Sequence, residues 1–325
     1  MLPPYLTAAI ERECAAISGR ELAAAAAQLS DAYRDRPHAA PGALSAAQRL
    51  AYIAVRMPAT FAAVTVALAE VARVSGAQIG SVLDLGSGPG TALFSAAEIF
   101  PAIAQLHGFE SDREFTQLAK RIVADAESSA ARNCGWTSGN LERANFGELP
   151  ESDLVIAAYS LGEIREDTRR RIVEGAWSRA QKMIVIVEPG TVAGYRAILS
   201  ARETLIGLGA HVVAPCPNAL PCPLRDGPGW CHFVQRLSRS RLHRLAKGAE
   251  LGYEDEKFSY VAFAREPAAL PRARIVGATS VSKARVVLPL CHDSLYGDET
   301  IQRRDEGYKA AKKAEWGDAW NEEVP

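Results

Sequence analysis

The chain has 325 residues, a formal charge of −1 and 48% hydrophobic residues, which is a soluble globular composition with room for two or three structural units. No apolar run approaches the roughly 18 residues needed to cross a bilayer, so no membrane partner is expected. The opening MLPPYLTAAIERECAA carries Glu11 and Glu13 and resembles neither an export signal nor an acid-poor presequence, which points to the cytoplasm, where six cysteines suggest metal or catalysis before disulfides.

Residues 5–36 and 45–75 are rich in Ala, Leu, Arg and Glu and predict an N-terminal helical region (1–75) broken at Pro37–Pro41. It reads as a cap on a sheet, although Tyr52, Arg56 and Phe61 could instead line a pocket. From Ser81 the pattern alternates between strand and helix: strand 81–86, helix 90–99, strand 105–110, helix 112–128, a weak strand at Cys134–Ser138, strand 153–159, helix 165–180 and strand 183–188. Helix 193–208, strand His211–Ala214 and strand Phe258–Ala264 complete the series. Apolar strands separated by helices imply a largely parallel sheet covered on both faces, with ligands beyond the C-terminal strand ends. That edge would carry Asp84, Glu110, Asn140, Ser160 and Glu188.

VLDLGSGPGT (82–91) is the best-defined site signal. Gly86, Gly88 and Gly90 give a turn that a ligand can approach closely, and Ala92, Leu93, Phe94 and Ala96 continue it as a helix whose N-terminus faces the ligand. About twenty residues on, Glu110 ends a strand where an acid accepts bonds from ribose hydroxyls. An ordinary structural turn is the plainer alternative. The GxGxG spacing, with Asp84 two residues ahead of it, resembles class I S-adenosylmethionine-dependent methyltransferases, and a nicotinamide site comes second. The resemblance implies a Rossmann-like, seven-stranded, mostly parallel sheet over residues 76–266. Asp84, Gly86, Ser87, Gly88, Gly90 and Thr91 would hold the methionine end, Glu110 the ribose, Asn140 and Leu141 the adenine, with Ser160 alongside.

In that fold the last two strands form an antiparallel pair, here interrupted by residues 215–257. Cys216, Cys222 and Cys231 fall within this insertion as Cx5Cx8C, among five prolines that limit the entropy lost on fixing them. Cys291 stands apart in a C-terminal module (267–325), read as strands Arg274–Val276 and Ala284–Leu290 before a basic tail with Arg303, Arg304, Lys309, Lys312 and Lys313. Four sulfurs suit tetrahedral zinc or a cubane cluster, and the spacing alone names neither. Inert buried thiols are the alternative, and burial is expected of Cys14 and Cys134. His232 and His292 read as groups behind the ligands or facing phosphate.

EPGTVAGY (188–195), APCPNALPCPL, GWCHFVQRLSRS, EDEKFSY (254–260) and RRDEGYKAAKKAEWGD (303–318) together resemble the methyltransferase-like family of mitochondrial small-ribosomal-subunit assembly proteins and their bacterial relatives. The likeness covers the chain from about Tyr52. It implies a [4Fe-4S] cluster on Cys216, Cys222, Cys231 and Cys291, with zinc as runner-up, and a small ribosomal subunit or its rRNA precursor as partner. A bacterial, cytoplasmic and monomeric protein is expected.

Arg236, Arg239, Arg241, Arg244 and Lys247 precede the next acid, Glu250. With Leu237, Leu242 and Leu245 turned inward they would form the basic stripe of one helix, either binding RNA phosphates or merely solvated. Tyr308 and Trp316 are candidates for base stacking. AAYSLGEI (157–164) lacks an NPPY-type tetrad, and Cys134 lacks the context of a cytosine C5 nucleophile. An rRNA methyltransferase and a non-catalytic assembly factor therefore both remain open. The basic insertion argues against a small-molecule methyltransferase.

Overall fold

The computed structural model describes residues 2–35, 44–293 and 295–322, so the expected break at Pro37–Pro41 lies outside the described residues. Three N-terminal helices, α1 (Pro4–Glu13), α2 (Gly19–Asp35) and α3 (Ala46–Ala51), lead through a π-helical turn at Tyr52–Arg56 into α4 (Met57–Ser75). Ser45 and Gln48 close a capping box on α3, and α4 stops at Gly76, whose φ of 60° suits glycine. The helical stretch Ala46–Ser75 is, contrary to the composition reading, long and apolar enough to span a bilayer. Its most apolar window is 67% buried inside the protein, as in a core helix.

The sheet domain follows as β1 (Ser81–Leu85), α5 (Thr91–Ile99), β2 (Gln105–Glu110), α6 (Arg113–Ile122), α7 (Ser129–Arg132), β3 (Gly135–Ser138), β4 (Ser152–Ala158), α8 (Glu166–Arg179), β5 (Ala180–Pro189), α9 (Val192–Gly207) and β6 (His211–Ala214). The helix expected over 112–128 ends at Ile122, and a separate short helix, α7, starts after Ser128, whose side chain accepts from Ala131 N–H. Past β6 come β7 (Phe233–Ser238), α10 (Arg241–Lys247) and β8 (Tyr253–Ala264). The strand order is β3-β2-β1-β4-β5-β8-β6, with β8 antiparallel between β5 and β6 and the remaining strands of the path parallel.

This main sheet has eight strands rather than the expected seven, because the insertion supplies β7. β8 pairs with β5 only as far as Phe258 opposite Pro189, while its first half, from Tyr253, runs on beyond the ends of the parallel strands and pairs with β7. The insertion therefore overhangs the ligand edge. One sheet face buries Val82, Ile156 and Val185 against α4, α5 and the N-terminal helices, and the other buries Leu83, Val155 and Ile184 against α8 and α9.

The C-terminal module has its own small core around Leu288, Leu290, Ile301 and Trp320. It comprises β9 (Ala273–Ile275), β10 (Ser280–Val281), β11 (Arg285–His292), β12 (Leu295–Gln302), α11 (Tyr308–Ala311) and β13 (Ala319–Trp320), in a second, five-stranded sheet.

Candidate functional site

The glycine turn leaves β1 with Gly86, Gly88 and Gly90 at φ of 75°, 52° and 83°. A Cβ on Gly86 would lie 2.6 Å from Ser160 Cβ, and one on Gly90 2.6 Å from the Phe94 ring, so both positions exclude larger residues twice over. Ser87 Oγ donates to Asp84 O at 2.8 Å, and Gly90 N–H donates to Ser87 O. Glu110 is used differently from the ribose contact expected of it. Its Oε2 accepts from Gly88 N–H at 2.7 Å and its Oε1 from Asp112 N–H at 2.7 Å, so the carboxylate braces the turn and a ribose would have to share it. Asn140 is exposed, and its side-chain oxygen accepts from Glu142 N–H, capping a short turn that buries Leu141.

Asp84 is 1% exposed. Among the described residues neither of its carboxyl oxygens has a hydrogen-bond partner, nor does Thr91 Oγ1 or Ser160 Oγ, all buried around the turn. Burial, and then the nearby Glu110 charge, push the Asp84 carboxyl up to about 8. The buried Asp84 oxygens are costly unless a ligand donates to them, while the Thr91 and Ser160 hydroxyls can accept or donate. S-adenosylmethionine, with an ammonium and a sulfonium, fits that need.

Beside the turn, past the ends of β4 and β5, lies a pocket of about 350 Å³ lined by Tyr52, Arg56, Tyr159, Glu163, Glu188 and Glu256. Tyr52 and Arg56 thus face a pocket, whereas Phe61 is core, at 2% exposure. Tyr159 adopts φ of 56°, uncommon for a bulky residue, and its hydroxyl donates to Glu256 Oε1 at 2.9 Å. Glu188 accepts from Leu161 and Gly162 N–H, and burial pushes it up to about 8. Burial raises Glu256 as well. Sequence reading missed Tyr159 and Glu256, since an overhanging β8 leaves no local signal.

Cys216, Cys222, Cys231 and Cys291 line one cavity of about 40 Å³ together with Tyr195, Arg202 and Arg274. All four are free thiols. Burial raises Cys216 and Cys231, with Arg202 opposing it at Cys216, and pushes Cys291 up to about 12. Tyr195 Oη lies 3.3 Å from Cys222 Sγ. Arg202 braces the cysteine loop by donating to Asn218 O and Leu220 O. Arg274, 1% exposed, donates to Pro215 O and Gly317 O and pairs with Glu70 of α4 at 2.7 Å. Arg202 Nε and Arg274 Nη2 are buried without partners among the described residues.

Thiols beside unpartnered guanidinium donors suit an anionic thiolate-ligated centre. Among the described residues no three His, Cys, Asp or Glu side chains are gathered as a single-ion site. Zinc at about 2.3 Å from each sulfur needs sulfurs about 3.8 Å apart, whereas a cubane takes one thiolate at each of four irons and needs no such crowding. Asn218 Nδ2 donates to Asp293 O and Trp316 Nε1 to His232 O, tying the insertion to the C-terminal module. Arg202 could have been noticed in sequence as a lone charge on the buried side of α9, next to Ala201.

Cys14 is buried, as expected, while Cys134 is only partly so and lines neither the pocket nor the cysteine cavity. His232 packs between Trp230 and Trp316 and does not line the cysteine cavity. Trp316 is thereby committed to packing, and the Tyr308 hydroxyl donates to the backbone at Ser282 and Lys283, so neither ring is presented as expected for stacking.

The basic stripe is not one helix. Residues 233–238 form β7, because their partners on β8 offer a ladder that outweighs the helical spacing of Leu237, Leu242 and Leu245. Leu245 is 53% exposed rather than turned inward. Arg236 pairs with Asp255 at 2.7 Å, and Arg239 and Lys247 both pair with Glu254. Only Arg241 and Arg244, exposed on α10, have no ion-pair partner among the described residues.

A parallel sheet of order 3-2-1-4-5 closed by an antiparallel strand, with a glycine turn after β1 and unpartnered acceptors around it, defines the class I methyltransferase-like fold. The family model "Mitochondrial small ribosomal subunit Rsm22" matches residues 46–321, and the chain belongs to that family. It is 27% identical over 289 residues to the human "Ribosome assembly protein METTL17, mitochondrial", covering 83% of this chain and 61% of the human protein. It is 24% identical over 322 residues to "Rsm22-cox11 tandem protein 2, mitochondrial" of Schizosaccharomyces pombe, covering 83% of this chain and 43% of that one. The chain thus spans between about two-fifths and three-fifths of these relatives' lengths. Among solved structures it is similar to the magnesium protoporphyrin IX methyltransferase of Synechocystis (TM-score 0.42, 11% identity, 74% of this chain and 100% of that one). A precorrin-6y methyltransferase of Geobacter metallireducens gives TM-score 0.40 at 14% identity, over 62% of this chain and 87% of that one. Likenesses this distant add nothing to the topology.

Proposed function

We propose that the protein is an assembly factor for the small ribosomal subunit. In this reading it binds S-adenosylmethionine at the glycine turn, a [4Fe-4S] cluster on Cys216, Cys222, Cys231 and Cys291, and ribosomal RNA through the exposed face of α10. The observation that carries it is the meeting of three insertion cysteines and one from the C-terminal module at a single cavity, in a chain of the Rsm22 family. A cubane held by four thiolates is a net anion; Arg202 supplies opposing charge and a buried Nε donor, and Arg274, whose charge Glu70 already meets, supplies its buried Nη2 donor. With the cluster in place the C-terminal module is pinned to the sheet domain. The setting proposed is the bacterial cytoplasm, with the protein as a monomer.

At the turn, Asp84 accepts from the ligand's ammonium, Glu110 keeps Gly88 in place, and Ser160 closes the side facing the pocket. S-adenosylmethionine supplies a methyl group when bound. A second reading, rRNA methyl transfer, is favoured by the pocket of about 350 Å³ beside the turn, in which Tyr159 and Glu256 would orient an acceptor. The test is co-sedimentation with small-subunit precursors at low salt. Wild-type protein is expected to pellet with them and Arg241→Ala/Arg244→Ala to be recovered poorly, whereas Arg236→Ala, an exposed paired site, changes little. Equal recovery of wild type and the double variant would remove the RNA role of α10.

A further inference from the structure

The second sheet ends in an open edge. β12 pairs with β11 along its whole length, from Arg285 opposite Gln302 to His292 opposite Leu295, and with no other strand among the described residues. Just past this ladder Arg303 N–H donates to Ala284 O at 2.9 Å. By the two-residue alternation of an antiparallel pair, residues 295, 297, 299 and 301 then turn their amides toward β11, and Tyr296, Asp298 and Thr300 turn theirs outward.

Exposed edges are usually blunted by proline, lysine, a bulge or brevity. The eight residues of β12, LYGDETIQ, contain no proline or lysine, their register is unbroken, and the charges guarding the edge, Asp298 and Glu299, are both acidic. Leu295 and Tyr296 at its start are 61% and 46% exposed. The edge is therefore a competent template for another strand.

Charge identifies what it takes. Asp298 and Glu299 sit at mid-strand, and Asp293, its side chain 85% exposed, precedes them in the turn. A second copy paired antiparallel about the strand centre would set acid against acid, which is unfavourable for residues directly opposite. Asp298 and Glu299 point to opposite faces, and Glu299 lies 3.9 Å from His292, so a segment carrying lysine or arginine at alternate positions would relieve the charge at Asp298.

We propose that β12 adds an extended, basic peptide segment of a partner protein as a sixth strand of the C-terminal sheet. Main-chain hydrogen bonds supply the affinity, and Asp298 selects the cationic side chains on its own face of the sheet. This surface is independent of the cofactor and cluster proposed above.

The probe is a labelled synthetic peptide as long as β12, alternating lysine with valine or threonine, titrated against the full chain. A second peptide has every other backbone nitrogen methylated. Saturable binding to the first is expected, weakened about tenfold or more for the methylated peptide through loss of two or so hydrogen bonds. Thr300→Pro removes an outward amide that the ladder does not use and is expected to weaken binding comparably. Asp298→Lys weakens it most at low salt. Absence of saturable binding overturns the proposal. So does binding that methylation leaves unchanged, which would be charge attraction alone, or self-association abolished by Thr300→Pro, which would make the occupant a second copy. Should Thr300→Pro misfold, the methylated peptide on wild-type protein still decides.

Discussion

The glycine turn and the cysteine cavity leave opposite groups unsatisfied. Around the turn the orphans are oxygens, those of Asp84, Thr91 and Ser160; around the cysteines they are guanidinium nitrogens of Arg202 and Arg274. The first site calls for a donor or cation and the second for an anion, which is the charge relation between S-adenosylmethionine and a thiolate-held cluster. The two also differ in reach. The turn is one run from Asp84 to Thr91 braced by the next strand, while the cavity gathers α9, the insertion and β11, and through Arg274 is tied to Glu70 on α4. A local site can keep its shape while empty, but a site assembled from distant segments depends on what holds them together.

The sharpest break of this contrast is at Cys291. Replacing it with Ser is expected to lower bound iron to less than about a tenth of wild type and to open the C-terminal module to limited proteolysis, with S-adenosylmethionine binding retained. Iron and proteolysis unchanged from wild type would leave the cavity a packing feature. Next is Arg274→Met, which leaves Glu70 to Arg73 alone and takes the buried donor away from Pro215 O and Gly317 O. A loss of about 2 kcal/mol in urea unfolding is expected from the two carbonyls left without a donor.

Gly90→Ala attacks the other region. A Cβ at φ of 83°, 2.6 Å from Phe94, is expected to cost about 1–3 kcal/mol. Calorimetry should find cofactor affinity reduced by about tenfold or more for a displaced turn, with iron content unchanged.

The last effect is electrostatic and is read as a pH dependence. Asp84 and Glu188 are both pushed up to about 8. Between about pH 4 and 8 the fold keeps both protons while the unfolded chain releases them, so stability falls as pH rises through that window. Asp84→Asn removes one group's share, at most about 1.4 kcal/mol per pH unit. Its Tm should exceed wild type at pH 8 and match it near pH 4, and parallel curves would place Asp84 in contact with water.

What was legible in sequence follows the same division. β2 over Gln105–Glu110 and β6 over His211–Ala214 have the bounds their apolar runs imply, since loops and helix formers close them on both sides. β7 was hidden because Leu237, Leu242 and Leu245 suggest a helix and its partner strand, Tyr253–Phe258, lies beyond α10. The pairing of Arg236, Arg239 and Lys247 with Asp255 and Glu254 was hidden for the same reason. The four cysteines stood out by residue type, but their arginines did not: Arg274 reaches back 59 residues to Pro215, a contact no local spacing announces.

The most direct test is the metal content and visible spectrum of the anaerobically purified wild-type chain. The account predicts a brown protein with about four irons and four acid-labile sulfides per chain. A colourless protein, with one tightly held zinc or no metal at all, would contradict it.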